Sequence, residues 1–153
     1  MPKKIAGFLR FFWGSVFLLG VIINIVMGSI NAHLYDNGGL YAWPSFLHTF
    51  WADVVVPNMI FFIILYAVIE LILGLLILNR GIYAKIGLIG ALIFGAGLLM
   101  LGLGAKQNDW TARIPNLIFE GTILYCLFFN YEKSLWETIR KKKPEVRTNV
   151  LGG

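Results

Sequence analysis

The sequence is poor in charge and almost without cysteine. Only 14% of its 153 residues are charged, about half of the roughly 25% usual in soluble domains. That is too little to clothe a water-soluble globule. The single cysteine, Cys126, excludes an internal disulfide and a dithiol redox pair within the chain. Its apolar neighbourhood reads as inert packing. The sequence also lacks a phosphate-binding glycine loop, a dinucleotide fingerprint, a nucleophile triad and zinc-ligand spacing. No cofactor is evident from motifs.

What the chain has instead is oil. Hydrophobic residues make up 58%, the mean hydropathy is +0.75, and many of the 17 glycines lie inside apolar runs. Glycine is more frequent in transmembrane helices than in soluble ones. Four apolar segments stand out, at about 11–30, 58–78, 84–104 and 114–131. Each approaches the roughly 20 residues needed to cross about 30 Å of hydrocarbon. The first starts too late and runs too long for a cleaved signal peptide, and no small-residue cleavage site follows it. Pro57 precedes the second segment and Pro115 lies in the first turn of the fourth, where a missing N–H removes no helical bond. The expectation is an all-α integral membrane four-helix bundle forming one domain, 1–153, with a basic tail at 132–153.

The basic residues predict its orientation. Lys3, Lys4 and Arg10 precede the first span, Arg80 and Lys85 flank the turn after the second, and the remainder of the group follows the fourth. Together they are 11 of the 13 Lys and Arg residues. The positive-inside rule then places both termini in the cytoplasm, in a membrane of prokaryotic inner-membrane type. It also explains the net charge of +5 without nucleic acid as a partner; the partner is the bilayer. The run Lys141–Lys143 reads as a topology signal and can touch anionic headgroups. Leu135, Trp136 and Ile139 suit a surface-lying helix, and the chain from Pro144 onward reads as a tail.

Small residues let helix backbones approach closely in a bilayer. Gly87, Ala91 and Gly95 recur every four residues in the third span, as do Gly20, Asn24 and Gly28 in the first. Both stripes predict close helix packing, within one chain or between copies in a homo-oligomer.

The segment 31–56 contains no Lys or Arg and is rich in aromatics, including Tyr35, Tyr41, Trp43, Phe46, Phe50 and Trp51. It is expected at the outer membrane interface. Trp43-Pro44-Ser45 reads as a turn followed by an N-cap, with a short helix at about 45–52. His33 and His48 lie here with no cysteine beside them. They are a weak metal or haem signal, and His48 with Trp51 better suits the mouth of a cavity.

Two carboxylic acids, Glu70 and Glu120, fall within apolar spans. A charge at that depth costs on the order of 3 kcal/mol on insertion scales, so each should face the interior and find a partner. Tyr66 and Gly74 share a helical face with Glu70, and Asn116 shares one with Glu120. A polar interior of Asn24, Glu70, Asn116 and Glu120 follows. It can serve as interhelix glue, as a ligand cavity or as a proton path.

The run Glu70-Leu-Ile-Leu-Gly74-Leu-Leu-Ile-Leu78, the following turn with Arg80, the apolar third span and the long first loop bearing Trp43-Pro44 resemble the DoxX-like family of small four-span membrane proteins. The resemblance spans roughly 8–132. It implies a membrane subunit or assembly partner, non-catalytic and associated with a redox system, with a quinone as a compatible cofactor. The alternatives are a binder or isomerase-type enzyme for a hydrophobic small molecule in a cavity lined by Glu70 and Glu120, and a proton-coupled transporter acting as an oligomer.

Overall fold

A computed structural model describes residues 2–39, 42–101 and 114–132. All secondary structure among the described residues is helical. Helix α1 runs Pro2–Asn31, α2 Ser45–Phe50, α3 Met59–Leu78, α4 Gly81–Leu101 and α5 Ile114–Leu127. Helix contacts run in a closed cycle: α1 on α3, α3 on α4, α4 on α5, and α5 back on α1.

Three helical stretches are long and apolar enough to cross a membrane: Pro2–Asn31, Ser45–Leu78 and Gly81–Leu101. The outward surface agrees with that reading. Side chains such as Phe8, Ile60 and Ile93 are exposed, and α3 is apolar around its circumference apart from Tyr66 and Glu70, as a helix in lipid can be.

Four boundaries differ from the sequence expectation. The first helix begins at Pro2, well before residue 11, so Arg10 lies inside it. The second span is the end of a longer helical path. α2 passes into a wide-turned π segment, Trp51–Val55, then a tight 3-10 turn, Val56–Asn58, and then α3. Pro57 sits in the 3-10 turn, where its missing N–H and the clash of its ring with the preceding turn's carbonyl interrupt a regular α register. Ser45 is the first residue of α2 rather than its cap, and Pro44 occupies the cap position in extended conformation. The fourth helix stops at Leu127, short of residue 131. Its last carbonyls are drawn into a turn, with Phe128 and Phe129 N–H donating to Tyr125 and Cys126, and the Tyr131 hydroxyl donating to the Cys126 carbonyl at 2.7 Å. Residues 102–104, Tyr41 and the surface-helix and tail assignments beyond 132 lie outside the described residues.

Glycines set the closest approaches. A Cβ on Gly87 would stand 2.6 Å from the Ile77 backbone nitrogen, so α3 and α4 touch backbone to backbone. Ala91, one turn on, is fully buried. The α3–α4 turn is tight. Asn79 Oδ1 accepts from the Arg80 N–H, and Gly81 takes φ +57°, in the left-handed region that glycine enters freely.

Candidate functional site: a cavity beside Glu70

Glu70 sits midway along α3 with its carboxylate resting on Gly20 of α1. A Cβ there would lie 2.8 Å from Glu70 Oε1. The missing side chain is what lets the acid enter the interface. One turn along α1, Asn24 Nδ2 donates to Glu70 Oε2 at 2.7 Å. The Tyr35 hydroxyl donates to Asn24 Oδ1 at 2.9 Å. The three groups form a relay from the 3-10 segment Ala32–Gly39 to the middle of α3. Burial, and then the nearby Glu70 carboxyl, hold the Tyr35 phenol above its ordinary range, so it remains a donor.

The relay lines a cavity of about 290 Å³. Trp51, Phe62, Tyr66 and Phe94 supply its aromatic wall. Trp51 is held from behind. Its Nε1 donates to the Asp36 carbonyl at 3.1 Å, and its ring lies directly on Gly39, where any side chain would collide with it. Of the aromatic loop expected at the outer interface, Tyr35 and Trp51 thus turn inward onto the cavity, while Trp43 and Phe46 stay exposed. Tyr66 stacks edge-on against Phe94 with ring centroids 5.5 Å apart.

Two further hollows adjoin. A groove of about 400 Å³ between the segment 46–55, α3 and α4 shares Trp51, Val55, Phe62, Tyr66 and Phe94 with the cavity. On the other side of Glu70, a hollow of about 490 Å³ contains Asn116 and Gly20.

The four polar residues expected in one interior are therefore divided. Asn24 and Glu70 bond directly, and Asn116 reaches only the second hollow. Glu120 lines neither cavity that Glu70 lines. Its carboxylate lies against Gly95, with Oε1 buried and without a hydrogen-bond partner among the described residues. Helical spacing relates Asn116 and Glu120, but Gly95 offers α5 a recess that the carboxylate fills. His48 is exposed on α2 and stands on none of these walls. No cluster of three metal-ligating side chains occurs among the described residues.

A second polar centre, at the opposite end of the bundle, was not legible in the sequence. Arg10, read there as a topology charge, is only 2% exposed. Its Nη1 donates to the Asn79 carbonyl at the end of α3 at 3.0 Å, and its guanidinium lies 4.1 Å from the centroid of the Tyr131 ring. Tyr131 in turn accepts the Gly81 N–H on its carbonyl at 2.6 Å. Arg10 thus ties the α3–α4 turn to the segment after α5. Cys126 packs against α1, with Sγ 3.6 Å from the Ala6 carbonyl oxygen.

No protein-family model, curated protein or solved structure matches the chain.

Proposed function

We propose that the chain is a DoxX-like integral membrane protein that binds a hydrophobic small molecule beside Glu70 and performs no chemistry on it. The observation that carries this reading is the hydrogen-bonded relay Tyr35–Asn24–Glu70 in the wall of an otherwise apolar cavity. Ligand sites of membrane and soluble proteins alike combine apolar walls with a few fixed polar groups. A carboxylate serving only as glue needs no cavity at its side. Isomerase-type chemistry loses support because Glu120 is not on the wall with Glu70.

The role of a subunit or assembly partner in a membrane redox system follows from the resemblance and is compatible with a bound molecule, a quinone included. We propose the topology implied by the basic residues, with both termini cytoplasmic and the Tyr35 and Trp51 side of the cavity at the outer face.

The test is native mass spectrometry of protein released from its membrane in lipid nanodiscs. The wild type is expected to carry a discrete apolar adduct. Leu98→Trp, which fills the wall shared by the cavity and the second hollow, is expected to lose it while keeping its helical content. A wild type without an adduct, or an adduct indifferent to Leu98→Trp, would overturn the reading.

A further inference from the structure

The walls around Glu70 have a definite chemistry. Five aromatic side chains, Tyr35, Trp51, Phe62, Tyr66 and Phe94, surround the cavity with the Glu70 carboxylate, and no Lys, Arg or His is among its described lining residues. Aromatic faces carry negative quadrupole potential and attract cations, most strongly when water is excluded. The hydrogen bond to Glu70 comes from a neutral amide, so the carboxylate has no counter-charge among the described lining residues, and a half-buried anion without one is costly. A quinone or other carbonyl ligand needs donors from the wall. Here one Asn24 amide N–H is directed at Glu70, the Tyr35 hydroxyl at Asn24 and the Trp51 indole N–H at the Asp36 carbonyl, so the Tyr66 hydroxyl and the second Asn24 N–H are the donors left to a carbonyl ligand. The arrangement suits a ligand that brings positive charge.

The adjoining groove accounts for the rest of such a ligand. It leaves the cavity past Tyr66 and Phe94 and continues along Leu65, Ile69, Ile93 and Leu101, with no charged residue among the described residues of its wall. Ile93 is 70% exposed, so the groove opens on the face that meets lipid. A straight alkyl chain fits this path, and its cationic head would sit against Glu70.

Resting on the binding role above, we propose that the ligand class is a cationic amphiphile, an alkyl amine or quaternary ammonium compound, with the ammonium in the aromatic cavity and the chain in the α3–α4 groove. Glu70 supplies the counter-ion, the aromatic rings supply cation–π contact, and Asn24 with Tyr35 holds the carboxylate in place.

The test is saturation binding of radiolabelled dodecyltrimethylammonium to the protein in nanodiscs, with empty nanodiscs subtracted. 1-Dodecanol, with the same chain and a neutral head, is the comparison. The wild type is expected to prefer the cation at least tenfold. Glu70→Gln should abolish that preference, and Glu70→Asp, which keeps the charge, should retain much of it. Tyr66→Leu leaves the carboxylate in place and should weaken the cation several-fold more than the alcohol. Equal or tighter binding of dodecanol by the wild type would overturn the cationic class and leave the hydrophobic-binder reading standing. Absence of saturable binding by either probe would also overturn it, and the adduct measurement above judges the binder reading separately.

Discussion

Asn24 Nδ2 donates to Glu70 Oε2 across 2.7 Å, joining α1 to α3 between residues 46 positions apart. The bond is possible because Gly20, one turn before Asn24, leaves the space that the carboxylate occupies. A side-chain pair in lipid is typically worth about 0.6 kcal/mol and at most about 1.7 kcal/mol. A double-mutant cycle with Asn24→Leu and Glu70→Leu, read by unfolding in mixed SDS micelles, should give a coupling energy in that range. Additive effects would show that the two groups do not interact in the bilayer.

The recess at Gly20 makes a contrast between glycines. Gly20→Ala places a methyl group 2.8–2.9 Å from the Glu70 carboxylate and should displace it from Asn24. Overpacking of this kind costs about 1–3 kcal/mol. Gly121→Ala in α5 meets nothing within 4 Å and should be nearly neutral. Equal tolerance at both positions, measured by unfolding in the same mixed micelles, would contradict the close approach of α1 to Glu70.

Arg10 should be structural. Hydrogen bonds to charged groups contribute about 1.5–3 kcal/mol, and Arg10 adds a stacking contact with Tyr131. Arg10→Met is expected to destabilise by about 2 kcal/mol. Arg10→Lys should recover only part of this, because an ammonium lacks the planar face that lies on the ring. Full recovery by lysine would mean that charge alone matters there, as a simple topology signal requires.

Trp13 Nε1 donates to Thr122 Oγ1 at 2.8 Å and links α1 to α5. Thr122→Val keeps the shape and removes the acceptor, leaving the indole N–H unpaired. A loss of about 0.6 kcal/mol is expected in the same unfolding assay, with Thr122→Ser close to wild type. No difference between valine and serine would show that the bond contributes nothing.

The helices were legible because a backbone in hydrocarbon must satisfy its own hydrogen bonds, and long apolar runs admit little else. Glu70 was legible as an interior group because a carboxylate at that depth cannot face lipid. The glycine stripes were legible as sites of close contact because a missing side chain leaves room for a neighbouring backbone, as at Gly87, or for a side chain, as at Gly20, Gly28 and Gly95. The partners were not. Helical spacing pairs residues on one helix, but Glu70 finds Asn24 on another, and Glu120 finds the recess at Gly95 instead of joining Glu70. Hydropathy treats the aromatic loop as interfacial and does not tell that Tyr35 and Trp51 turn inward, since that depends on Gly39 yielding its place to the indole. Arg10 carries the same charge in either reading. Only the arrival of the α3–α4 turn and the Tyr131 ring around it makes it a buried tie. Composition and periodicity thus determined the helices and which polar groups they carry among apolar neighbours, through the physics of a chain in oil. Which helix meets which, and where a cavity is left between them, was decided by tertiary packing, because those contacts join residues far apart in sequence.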